Sequence, residues 1–155
     1  MESTTVREIL RGRCRTGNVE VVQQLFRAFD KGLDAAAEFW DPEVDWRAIE
    51  GAPDDVGIIK GAAALRHYYE QWYETSDDLS AEPEELIDAD GKVVAVVHVI
   101  GRMTDSEATV DMRLAIVYSL KDGRVIRGRE YATRDQALEA AGRRSSRFAW
   151  KAIHP

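Results

Sequence analysis

Two Asp-Gly dipeptides, Asp90-Gly91 and Asp122-Gly123, separate runs of alternating and β-branched residues, and they commit this part of the chain to a meander. Asp-Gly between two such runs is a hairpin signal, because both central residues of the tight turn need positive φ. The strands read as 81–89 (AEPEELIDA), 92–102 (KVVAVVHVIGR), 108–120 (ATVDMRLAIVYSL) and 124–132 (RVIRGREYA), with a loop at 103–107. Such a meander has one face to bury against other elements.

The N-terminal half supplies those elements. Val19, Val22, Leu25, Phe26 and Phe29 fall at helical spacing within 17–32, with Asn18 as a cap and Gly32 as a stop. Residues 34–40 (DAAAEFW) read as a second, short helix closed by Asp41-Pro42. Residues 43–49 alternate as a strand, with Val44, Trp46 and Ala48 on one side and Asp45, Arg47 and Ile49 on the other. A loop rich in glycine, proline and acid spans 50–61. A third helix is predicted over 62–79, with Leu65, Tyr68, Tyr69 and Trp72 as its apolar stripe, and a final helix over 134–141, ended by Gly142. The order predicts an α+β fold: a curved antiparallel sheet wrapped around three N-terminal helices, a cone that tends to keep a cavity at its wide end.

The 155 residues fit one domain with a sizeable core. No apolar run approaches the roughly 18 residues that a membrane span needs, and the first residues hold no apolar segment of a secretory signal. Cys14 is the single cysteine, which excludes an internal disulfide and fits a cytoplasmic protein. Charge divides the chain into a basic N-terminal tail (1–17), an acidic body (18–141) and a basic C-terminal tail (142–155). Setting aside the eight bases and two acids of the tails leaves the body with 13 basic and 26 acidic residues, a net charge of −13. An acidic body disfavours nucleic acid as a partner. The tails could fold against it, reach a partner subunit or stay solvated. His67, His98 and His154 lack metal-ligand spacing, and no glycine-rich phosphate motif occurs, so neither a metal nor another cofactor is expected.

The stretches NVEVVQQLFRAFDKGLDAAAEFWDPEVDW, GAAALRHYYEQWYE and DGRVIRGREYATRDQALEAAG resemble SnoaL-like proteins of the NTF2-like superfamily, over about 18–141. Polyketide cyclases, ketosteroid isomerase and limonene-epoxide hydrolase share that fold. The resemblance implies a conical α+β barrel, an apolar pocket, and a homodimer through the outer face of the sheet. It also implies the strand phase. Val110, Met112, Leu114, Ile116 and Tyr118 should point inward. His98, Ile100, Arg113, Ala115, Val117, Arg127 and Arg129 should point outward, toward the second copy. Ile126, Gly128 and Glu130 share the other face of the last strand, and in relatives the residue matching Glu130 faces the cavity.

The chemistries of such relatives do not transfer directly. The ketosteroid isomerase base would fall at Trp46, its tyrosine at Leu25 and its second aspartate near Ile116, so all three groups are absent. Asp111 and Arg113 could serve epoxide hydrolysis, but they lie on the outer face. A carboxyl inside an apolar cone suits proton transfer, which leaves Glu130 as the candidate catalytic residue. Trp46, Tyr68, Trp72, Met112, Ile116 and Tyr118 are the candidate ligand-binding residues. The resulting expectation is cofactor-free isomerisation, cyclisation or hydration of a small hydrophobic molecule. The alternative is a non-catalytic hydrophobic-ligand-binding or dimeric accessory protein. A cone packed solid by Trp46, Met112 and Tyr118 would exclude any ligand.

Overall fold

The computed structural model describes residues 14–142, with side chains from 17 onward. The expectations for residues 1–13 and 143–155, most of the two basic tails, lie outside the described residues. Helix α1 (Cys14–Lys31) and the short α2 (Leu33–Ala37) lead into strand β1 (Trp40–Arg47) and the two-residue β2 (Ile59–Lys60). Helix α3 (Ala62–Thr75) precedes β3 (Ser76–Ala89), β4 (Lys92–Met103), β5 (Thr109–Lys121) and β6 (Arg124–Tyr131), and α4 (Arg134–Ala140) closes the order. No helix among the described residues is long and apolar enough to cross a membrane.

The six strands form one curved, unclosed sheet in the order β2-β1-β6-β5-β4-β3. Both Asp-Gly turns hold both residues in the left-handed region, with φ of 55° and 87° at Asp90-Gly91 and 53° and 76° at Asp122-Gly123. These are the angles of a type I′ hairpin. The meander β3–β6 is antiparallel throughout, but β1 runs parallel to β6, with Trp46 beside Gly128 and Arg47 beside Arg129. The sheet is therefore mixed, not wholly antiparallel as expected. The connection from β1 to β6 spans about half of the chain, so no local turn enforces an antiparallel pair.

Other boundaries move for local reasons. The third helix stops at Thr75, because Ser76 is already extended (φ −135°, ψ 139°) and starts β3. Trp40 belongs to β1, not to the second helix. In β6 the expected alternation breaks. Leu120 pairs with Val125 and Ser119 with Arg127, so Ile126 is an extra residue in a bulge. The bulge turns Val125, fully buried, into the core in place of Ile126.

Each sheet face has its own cover. Val22, Leu25 and Phe26 of α1, Ala36 of α2, and Leu65 and Tyr68 of α3 form the main core with Val93, Ala95, Val97, Leu114, Ile116 and Tyr118. The even-numbered residues of β5 thus face the hollow side. On the opposite face Ala137 and Ala141 cover Val94, Ala115 and Val117. Helix α4 is held there by a capping box, in which the Gln136 amide donates to Thr133 Oγ1 (3.1 Å) and the Thr133 amide to Gln136 Oε1 (3.3 Å). Arg134 adds a fork onto Glu85 (2.9 and 3.0 Å). Ala115 and Val117, expected to be covered by a second copy, are thus covered within the chain.

Candidate functional site

The cone is hollow. A cavity of about 620 Å³ lies between the inner face of β3–β6 and the helices α1 and α3, within the usual size range of small-molecule sites. Tyr68, Trp72, Met112, Ile116 and Tyr118 line it, as does Glu130. Tyr69, which shares the α3 stripe, lines it too. Trp46 does not, and this corrects its assignment as a ligand contact. Trp46 is 1% exposed, and its indole fills the space over Gly128 of the neighbouring strand, where a Cβ would fall 2.1 Å from two of its ring carbons. A side chain at 128 would drive the indole out, so the inner face of β6 carries a glycine two residues before its acid.

In that position the indole turns its polar edge toward the cavity wall, and Trp46 Nε1 donates to Glu130 Oε2 at 3.0 Å. Glu130 stands opposite Ile116 in the β5–β6 ladder, which sets its inward phase. Burial pushes its pKa from 4.5 up to about 7, the charge of Asp54 adds to the rise, and the Trp46 hydrogen bond opposes it. The tyrosines nearby respond to the same acid. Burial, and then the Glu130 charge, push the Tyr118 hydroxyl well above its ordinary value. Tyr69 is raised by burial, then by Tyr118 and Glu130. The rings interlock, with Trp46 edge-on to Tyr118 (centroids 5.7 Å) and to Tyr69 (6.1 Å).

A second carboxylate enters from a loop. Asp54 lines the cavity and accepts the Tyr68 hydroxyl at 2.6 Å. The sequence marks 50–61 only as an acidic loop and does not single out Asp54. Its neighbour Asp55 fixes that loop: Arg47 forks onto it (3.2 and 3.0 Å), and the amides of Gly51 and Gly57 donate to it (2.9 and 3.0 Å). The Arg47 fork and these two amides hold the Asp55 carboxyl well below the usual carboxylate range. The signal in the sequence was Asp-Asp between glycines, but its partners Arg47 and Tyr68 lie on two other elements.

Glu130 also borders a second cleft of about 710 Å³, on the side of α4 and the β1 end, with Arg47, Arg129, Tyr131 and Gln136. This cleft is larger but mostly framed by ion-paired and surface side chains. The aromatic cavity holds both carboxylates and is the better site. Glu130 stands in the wall common to the two.

The outward residues form a separate group. His98 Nε2 lies 2.7 Å from Asp111 Oδ1, and Arg113 forks onto Glu84 (2.9 and 3.1 Å). Arg129 pairs with Asp45 at 2.6 Å, while Arg127 and Ile100 are exposed. Asp111 and Arg113 are thus remote from the cavity chemistry. Among the described residues no group of three or more His, Cys, Asp or Glu is arranged to hold a metal.

The model of the SnoaL-like domain matches residues 22–128, and the chain belongs to that family, on the NTF2-like fold. Among curated proteins none matches the chain. Solved structures agree on the fold. An NTF2-like protein from Burkholderia xenovorans LB400 is 22% identical, with a TM-score of 0.65 over 82% of this chain and 97% of that one. Bal32a, from a soil-derived mobile gene cassette, is 22% identical, with a TM-score of 0.67 over 81% and 95%. SalBIII, an epoxide hydrolase/cyclase-like enzyme in pyran ring formation in the polyether salinomycin, is 18% identical, with a TM-score of 0.63 over 76% and 92%.

Proposed function

We propose that the protein is a cofactor-free isomerase, cyclase or hydratase for a small hydrophobic molecule, with Glu130 as its acid/base. One observation carries the reading: the Glu130 carboxyl, held by the Trp46 indole at 3.0 Å, stands in the wall of an aromatic cavity that can hold a ligand, where burial pushes its pKa up to about 7. At neutral pH such a group exists in both forms and can donate or accept a proton at little cost. Tyr118 and Tyr69 stand close enough to feel its charge, and a substrate oxygen between them and a protonated Glu130 would meet several donors. Asp54, its Tyr68 partner donating to it, supplies a second carboxylate. The pyran-forming activity named for SalBIII supports the class by analogy of fold.

The test is turnover in a screen of epoxides, enones and enolisable ketones, comparing wild type with Glu130→Gln. Loss of a general acid/base lowers the rate by about 10²–10⁴, and equal turnover overturns the role. A second reading, ligand binding without chemistry, is favoured by the Trp46 hydrogen bond, which occupies one oxygen of Glu130. In either reading the protein works in the cytoplasm, and as a homodimer through the part of the outer face that α4 leaves open, around His98, Ile100, Arg113 and Arg127. Sedimentation at micromolar concentration tests the dimer, and a monomer would remove it.

A further inference from the structure

The charge of the cavity wall is one-sided. Among the described residues it contains three carboxylates, Asp30, Asp54 and Glu130, and no lysine, arginine or histidine. Seven of its residues are aromatic, and they surround Asp54 and Glu130 on the α1, α3 and β5 sides. Arg47, at the root of the loop that carries Asp54, is consumed by its fork onto Asp55. Nothing described in the wall can neutralise an anion. A carboxylate or phosphate entering would lose its hydration without gaining a countercharge, and would meet like charge in a low-dielectric space. An organic cation meets the reverse on every count: carboxylates to pair with, and aromatic rings to receive its charge.

We propose that the cavity selects its ligand by charge, taking a hydrophobic amine or other organic cation in preference to a neutral analogue and excluding an anion of the same shape. The inference rests on the reading of this cavity as the ligand site, and it adds the chemical class. Positive charge is balanced by Asp54 and Glu130 in the interior and by Asp30 at the more exposed end of the wall. A cation beside Glu130 also stabilises its ionised form, so uptake at pH 7 expels about half a proton from a group titrating near that pH.

The experiment uses three probes with one ring system: 2-naphthylmethylammonium, 2-naphthalenemethanol and 2-naphthoate. Equilibrium dialysis gives their affinities, and calorimetry in two buffers of different ionisation enthalpy gives the protons released. The expected order is ammonium, then alcohol, then naphthoate, with about tenfold or more between the first two. Proton release is expected for the ammonium alone. In Asp54→Asn and Glu130→Gln the ratio of ammonium to alcohol affinity shrinks toward one, and Glu130→Gln abolishes the release. Persistence of the preference in both variants would assign it to the acidic surface and overturn the proposal. So would an alcohol that binds as tightly as the ammonium, or a naphthoate that binds as tightly as the alcohol; there the cavity reading survives, because the alcohol binds. Failure of all three probes to bind overturns both. Circular dichroism of each variant separates a changed site from an unfolded chain.

Discussion

A wall carboxyl that holds its proton up to about pH 7 leaves a mark on stability that needs no substrate. Below pH 4.5 Glu130 is protonated in the folded and unfolded chains alike, and contributes nothing to the pH dependence. Between 4.5 and about 7 the unfolded chain releases the proton and the folded chain keeps it, so stability falls as pH rises. Above 7 the folded chain must also ionise, and the loss is complete. The gap from 4.5 to about 7, at about 1.4 kcal/mol per pH unit, comes to about 3 kcal/mol. Glu130→Gln keeps the shape and removes the titration. Relative to the variant, wild type should therefore lose about 3 kcal/mol between pH 4.5 and pH 8.5, or roughly 6–12 °C in Tm for a domain of this size. Other titrating groups, such as Asp55 and Glu84, are common to both proteins and cancel in the difference. Urea denaturation of both proteins across that range is the assay. A difference that stays constant with pH, or that grows in favour of wild type, would mean that Glu130 ionises alike in the folded and unfolded chains or more readily in the folded one.

Neighbouring substitutions should move the Glu130 midpoint in opposite directions. Asp54→Asn removes a charge that raises it and should lower the inflection of the stability difference, whereas Trp46→Phe removes the hydrogen bond that favours the carboxylate and should raise it. A common direction would contradict the assigned causes. Gly128→Ala would place a methyl 2.1 Å from the Trp46 ring, so the indole must shift and give up Glu130. The expected cost is about 1–3 kcal/mol with changed tryptophan emission, and unchanged stability would show that the strands separate freely. Asp55→Ala cuts the fork and both amide contacts that fix 51–57, and hydrogen exchange there should accelerate while β4 and β5 stay protected.

What was legible in the sequence followed from local rules. Asp90-Gly91 and Asp122-Gly123 could only be tight turns, and the alternation from Val110 to Tyr118 gave β5 its phase and with it the hollow side. The inward phase of Glu130 was legible from its distance along the strand to the family pattern, yet the same alternation failed at Ile126. A bulge adds one residue without altering composition, and nothing in VIRG marks it. The parallel pairing of β1 with β6 was hidden because residues 40–47 and 125–129 meet through the whole fold. That one contact explains Gly128 and moves Trp46 from the ligand wall to a support behind it. Asp54 was hidden for the same reason, since its place depends on Arg47 below the loop and Tyr68 across it.

Carbon-detected NMR of protein labelled at the glutamate side-chain carboxyl carbon, with Glu130→Gln to assign the signal, reads the protonation of that acid directly. The expected midpoint is near 7, and it falls in Asp54→Asn. A midpoint near 4.5, the value of a carboxyl in water, would contradict it.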